Sequence, residues 1–176
     1  MKRSWAVLAL GILFVVTVVP SASSAASGTI VRGGGAGTFG ADLDGDGDVD
    51  GSRFGVGAVL LADGTARGHF ECLMAGASDF LGLRLMAVEG TVHEGSRNAD
   101  GSVTLRGVAS MKLSSGVIFR GVPFEVTLWA GGPGSGRLAL TVLGAFDGVP
   151  GDTVADNGNY DLASETVTSG QIVIGD

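Results

Sequence analysis

The sequence predicts an all-β protein, a single antiparallel meander that folds as a sandwich or a flattened barrel. Three observations predict it. Apolar residues recur at every second position in short runs, the period of a half-buried strand. Turn signals such as Asp63-Gly64, Asn98-Ala99-Asp100-Gly101 and Ser114-Ser115-Gly116 separate those runs, as successive hairpins require. Glycine accounts for 32 of 176 residues with only 4 prolines, against a usual glycine share of ~7%. With no collagen period, those glycines mark turns and bulges. Beyond the N-terminal stretch, no segment carries apolar residues at amphipathic-helix spacing. A meander of this length must bury one face, and a sandwich or barrel does so.

The first element is not part of that domain. Lys2 and Arg3 precede an apolar run from Trp5 to Val19, broken by Pro20 and followed by the small residues Ser21 to Ser27. This is the layout of a cleaved secretory signal over residues 1–26, with Ser23-Ser24-Ala25 or Ser24-Ala25-Ala26 as the cleavage site. The run is short for a membrane span, and no cysteine stands near the cleavage site for lipid attachment. Residues 27–176 then form one secreted all-β domain, periplasmic or at the cell surface, of ordinary single-domain size.

Thr29 to Arg32 is a brief β-branched run, and Phe54 to Leu61 the next strand. Thr65 to Leu73 puts Thr65, Arg67, His69 and Glu71 on one face and Ala66, Gly68, Phe70 and Cys72 on the other. Phe80 to Val88 and Thr91 to Ser96 follow, with Gly90 as a bend within one long strand. Ser102 to Leu113 is a strand. Val117 to Val122 and Phe124 to Trp129 flank Pro123, which predicts a sheet edge or a bulge there. Gly131 to Gly136 is a loop and Arg137 to Leu143 alternates cleanly. Thr153 to Thr168 has no single pattern, and Gln171 to Ile174 is the last strand. Alternation predicts a core of Phe70, Cys72, Leu83, Leu85, Leu105, Val126, Leu128, Leu138, Leu140 and Val142.

Charge narrows the functions. Removing Lys2 and Arg3 reduces 11 basic residues to nine, against 18 acidic ones, for a net charge of −9. Lys112 is the one lysine left. A nucleic-acid partner needs a basic face, and none is evident. Cys72 is the single cysteine, so the domain has no internal disulfide and needs a large core or another staple.

The sharpest chemistry lies in Asp42-Leu43-Asp44-Gly45-Asp46-Gly47-Asp48-Val49-Asp50. Five carboxylates at strict alternation repel one another unless a hard cation joins them. Calcium takes about six to eight oxygens at about 2.3–2.6 Å, largely from carboxylates and carbonyls. With Asp42 as position 1, side-chain oxygens come from Asp42, Asp44, Asp46 and Asp50. Gly47 stands at the turn, Asp48 offers its carbonyl and Val49 anchors the loop. The stretch resembles the EF-hand and dockerin loops, but Arg53 occupies position 12, where those loops carry an acid. The shorter pattern D-x-D-x-D-G-x-x-D is complete without it and resembles the calcium hairpins of integrin alpha propellers and thrombospondin type 3 loops. Those join strands, so the resemblance implies an inserted calcium loop at 42–53 capping a hairpin between the Phe39 and Phe54 segments.

A looser resemblance covers most of the remaining chain. Gly34-Gly35-Ala36-Gly37-Thr38-Phe39-Gly40, Gly64-Thr65-Ala66-Arg67-Gly68-His69-Phe70, Gly148-Val149-Pro150-Gly151-Asp152-Thr153 and the closing Gly170-Gln171-Ile172-Val173-Ile174 resemble secreted bacterial post-COAP-type domains. The resemblance implies secretion and a β fold, and no defined activity.

Other constellations point to structure. Gly35-Ala36-Gly37-Thr38-Phe39-Gly40 fits G-x-G-x-x-G, but an acidic loop rather than a helix follows, and it would repel phosphate. His69 and His93 are the only histidines and suit the surface of strands; zinc needs three or four ligands. Cys72, on the Phe70 face, reads as a small core hydrophobe. Trp129 and Phe124 read as core aromatics. Glu71, Glu89, Glu94 and Glu125 would serve a hydrolase only if two met in a cleft. The sequence therefore predicts a secreted calcium-binding module, binding or structural, with an extracellular partner or ligand of unstated kind. A small-ligand carrier barrel and a hydrolase with strand-borne acids are the alternatives. Intact-mass measurement of the exported protein should give a chain starting near Ala26 or Ser27; a mass that retains Met1 would overturn the signal assignment.

Overall fold

A computed structural model of the chain describes residues 28–40, 49–74, 85–113, 115–148 and 152–175. The strands are β1 (Thr29–Thr38), β2 (Gly51–Leu60), β3 (Thr65–Met74), β4 (Leu85–Arg97), β5 (Val103–Leu113), β6 (Ile118–Trp129), β7 (Arg137–Val142), β8 (Tyr160–Asp161) and β9 (Glu165–Gly175). All pairings are antiparallel. Strands β1 to β7 follow one another in sequence order, and β9 joins β7 to β1. The result is a closed eight-stranded barrel, with β8 as an extra short strand beside β7. Among the described residues no helix is long and apolar enough to cross a membrane.

Alternation builds the inside of the barrel. On β2, Ser52, Phe54, Val56, Ala58 and Leu60 are buried, while Arg53 and Val59 between them are exposed. The expected core is present: Phe70, Cys72, Leu105, Val126, Leu128, Leu138, Leu140 and Val142 are all buried. Leu83 and the Leu85 side chain lie outside the described residues. Eight strands enclose a space about wide enough for side chains to fill. Tyr160, Phe70, Phe124, Met111 and Leu105 are the largest buried there. Each such apolar side chain contributes about 1.5–3 kcal/mol.

Two glycines make room for the largest contact. Phe70 and Phe124 stack with centroids 5.8 Å apart. The Phe124 ring lies over Gly90 and against Gly107, where a Cβ would collide with it. The predicted bend is thus a seat for a ring, within one continuous strand β4. The Pro123 region is also one strand, and both expectations for it hold. The β5 register shifts between Ala109 and Ser110, leaving Gly121, at φ 69°, as the extra residue of a bulge. β7 pairs with β6 only from Phe124 onward, and Pro123 stands at the end of that ladder, where its carbonyl accepts from Leu143 N–H at 2.9 Å and β6 before it has no β7 partner.

The tight turns also follow their sequences. Gly64, Gly101 and Gly116 all take positive φ. At the second of these turns, Asn98 N–H donates to Ser102 O at 2.8 Å. Asp100 Oδ1 accepts from the Ser102 amide and hydroxyl, and Asp100 Oδ2 accepts from Trp129 Nε1 at 2.9 Å. Those donors pull the Asp100 carboxyl down to about 2. Trp129 therefore sits partly exposed on the outer wall, not in the core, with Arg137 over its ring at 4.8 Å. An indole N–H needs a partner, and here the turn supplies it.

Gly90→Ala should lower stability by about 1–3 kcal/mol through overpacking, or roughly 2–4 °C of melting temperature per kcal/mol. A thermal melt of the single variant and of Gly90→Ala with Phe124→Leu checks the cause. The double variant should lose less than the two single losses combined.

Candidate functional site

The meander sends its connections alternately to two ends. The turns after β2 and β4 and the loop after β6 lie at one end. The chain between β1 and β2 and the long loop after β7 leave from the other. β1 and β2 are paired up to Thr38 opposite Gly51, and Phe39 N–H donates to Asp50 O at 3.0 Å. Thr38 Oγ1 donates to the same carbonyl at 3.0 Å. The acidic stretch therefore connects two antiparallel strands, as expected. Asp50, its last acid, is buried at 1% exposure. Asp42, Asp44, Asp46 and Asp48 lie outside the described residues. Among the described residues no three His, Cys, Asp or Glu side chains form a metal-holding group.

Beside that stem the barrel interior turns polar. Ser52, two residues after Asp50, is buried and donates its hydroxyl to Glu165 Oε2 at 2.6 Å. Glu165 opens β9 and is 2% exposed. The two residues come from strands on either side of β1 and meet because β1 offers Gly37 between them. A Cβ at Gly37 would lie 2.6 Å from Glu165 Oε2 and 3.2 Å from Glu165 Cβ. Burial pushes the Glu165 carboxyl up to about 7, against a downward pull from the Ser52 hydroxyl and amide. Burial, reinforced by the nearby Glu165 charge, pushes the Cys72 thiol up to about 12. The thiol is thus held neutral, as its core assignment implies.

A bulge explains why sequence reasoning missed Glu165. β1 pairs Ala36 with Ser169 but Gly37 with Val167, so Thr168 is an extra residue. A one-residue slip exchanges the faces of a strand. Counting back from the buried Ile172 by twos would put Glu165 outside; the bulge turns Glu165 and Val167 inward with it.

The other sequence candidates are on the surface. His69 is exposed on β3 and lies over Gly57, whose added Cβ would be 3.2 Å from its ring. His93 is exposed and is the extra residue where the β4–β5 register shifts between Val92 and Glu94. Glu71 and Glu89 stand opposite one another on the outer wall. Glu125 pairs with Arg106, and Glu94 faces Thr65 and Arg106. Glu71 and Glu89 share a shallow hollow with Arg53 and Leu73, whereas Glu94 and Glu125 do not line it. The Gly35–Thr38 part of the glycine motif lies within β1, and the stretch directly after Gly40 lies outside the described residues.

The long loop after β7 is a second acidic region, and the carboxylates of Asp147, Asp152 and, on β8, Asp161 are engaged. Asp147 accepts from the amides of Asp156 and Gly158. Asp152 accepts from those of Gly148, Val154 and Asp161. The Gly148 amide is the largest influence holding the Asp152 carboxyl below its usual range. Asp161 takes Thr141 Oγ1 at 2.8 Å and Asn157 Nδ2 at 2.7 Å. Compared with known protein families, curated proteins and solved structures, the chain finds no match in any of the three.

Glu165 sets a pH dependence. Its folded value lies above the ordinary 4.5, so the folded state holds the proton more tightly than the unfolded chain. That stability is complete below about pH 4.5 and is lost as pH rises to about 7, on the order of 3 kcal/mol in all. The lowered carboxyls of Asp63, Asp100 and Asp152 act oppositely and at more acid pH. Melting temperature should fall between pH 5 and pH 8 in the native chain and much less in Glu165→Gln, as followed by circular dichroism.

Proposed function

We propose that the chain is a secreted calcium-binding β-barrel module, binding or structural rather than catalytic. Asp42, Asp44, Asp46 and Asp50 would give side-chain oxygens, and Asp48 its carbonyl. One observation carries the reading: five aspartates at strict alternation span a connection whose ends are tied by the β1–β2 ladder. A loop held at both ends loses little further freedom when a cation gathers its carboxylates, so less of the binding energy is spent on ordering. The acidic loop after β7 offers no comparable set, since backbone amides already engage Asp147 and Asp152.

Two further features support this reading over its alternatives. Side chains such as Phe70, Phe124, Met111 and Tyr160 fill the barrel interior, which favours a module over a carrier. Of the strand-borne glutamates, Glu71 and Glu89 share only a shallow exposed hollow with Arg53, Glu125 pairs with Arg106, and the buried Glu165 is enclosed, which favours binding over hydrolysis. Secretion and the resemblance to bacterial post-COAP-type domains fit the same proposal, with calcium as the staple of a domain that lacks a disulfide.

Without an acid at Arg53, the expected affinity is in the extracellular range, Kd about 10⁻⁴–10⁻³ M. Binding to the folded form alone stabilises by about 2.7 kcal/mol at a hundredfold excess over Kd. That corresponds to roughly 5–10 °C for a domain of this size. Chelator should lower the melting temperature by that amount, and Asp44→Ala or Asp46→Ala should remove the response. A melt indifferent to chelator, with no calorimetric heat at millimolar calcium, would overturn the proposal.

A further inference from the structure

Glu165 lies where the barrel is closed by the least. The β7–β9 ladder has two pairs, Arg137 with Thr166 and Leu138 with Glu165. The next shortest ladder in the barrel wall, β6–β7, has six. The rest of this seam is held by the loop after β6. Gly131 and Ile172 exchange two backbone bonds, Gly134 N–H donates to Val167 O, and Val167 N–H donates to Gly136 O. The Thr168 bulge interrupts β9 in the same region. One residue is therefore a rung of the weakest ladder and also a buried carboxyl.

We propose that Glu165 is a proton-operated latch on the barrel seam. As the neutral acid it lies across Gly37 onto Ser52 with β9 closed on β7; as the anion it favours an open seam. An anion in an apolar interior is costly without a counter-charge. Among the described residues none is supplied. β2 contributes the Ser52 hydroxyl and, two residues earlier, Asp50, a further acid. β1 contributes Gly37, and β3 contributes Cys72, held neutral. β8 contributes the Tyr160 phenol, which burial also keeps neutral. Arg137 of β7 is on the outer wall over Trp129, and the inward residues Val126 and Leu128 of β6 are apolar. Freeing the anion through this seam breaks two ladder pairs and a few loop bonds, whereas unfolding breaks every ladder.

Amide hydrogen exchange on the full mature chain tests the latch, with protection corrected for the intrinsic rate at each pH. The amides of Gly131, Gly134, Val167 and Ile172 report the seam, and those of the β4–β5 ladder are the reference. Seam protection should fall roughly a hundredfold between pH 4.5 and pH 7 and then level off; at each pH it should stay below that of the reference amides and respond less to added denaturant, because the seam opens without the rest of the barrel. Glu165→Gln should keep seam protection constant across that range. Ser52→Ala removes a donor that favours the anion, so its fall should continue to higher pH before levelling. Seam protection that ignores pH in the native chain would overturn the latch. So would equal protection and equal denaturant dependence at seam and reference amides, because both would then open only with the whole barrel.

Discussion

Closure of the sheet is the constraint on which the other features rest. An open sheet of this size would leave two edges of unpaired amides and carbonyls. Here β1 bonds β2 on one side and β9 on the other, so the first and last strands hold each other. That strand carries Gly33, Gly34, Gly35 and Gly37. At Gly170, where β9 faces Gly35, φ is +79°, and an added Cβ would strike the β1 backbone. The close approach explains the glycine runs at both ends of the chain. The same lack of side chains on β1 lets Glu165 and Ser52 meet through it.

Most of the architecture was legible because alternation is a local signal. Phe70 and Cys72 on β3, and Leu138, Leu140 and Val142 on β7, could be assigned to the interior by counting in twos. Asp63-Gly64 and Asn98 to Gly101 named their turns through residues that tolerate positive φ. Barrel versus sandwich was not legible, since it depends on whether β9 reaches β1, a pairing between segments more than a hundred residues apart. Glu165 was hidden for a related reason. Its face depends on the bulge at Thr168, and a bulge is settled by what the neighbouring strand allows. Trp129 was misassigned to the core because its partner, Asp100, belongs to a turn on another hairpin.

The acidic loop after β7 shows how a chain can satisfy its own anions. After β7, Asp147 and Asp152 are spaced by residues whose amides turn back toward them, so the loop's own backbone neutralises its anions. Between β1 and β2 the acids alternate with glycine and apolar residues on a short connection. Charge density alone therefore does not say whether the anions of an acidic loop are already satisfied.

The placement of positive charge has a further consequence. Arg32, Arg53, Arg67, Arg97, Arg106, Lys112, Arg120 and Arg137 all lie within strands. The connections described between them carry acids, amides and glycine, and no basic residue. Proteases that cut beside lysine or arginine need an extended, unpaired segment of chain. Each of these eight bonds would have to leave a ladder before it could enter an active site, so the strand pattern itself shields these eight positions from trypsin-like digestion; Arg84 lies outside the described residues.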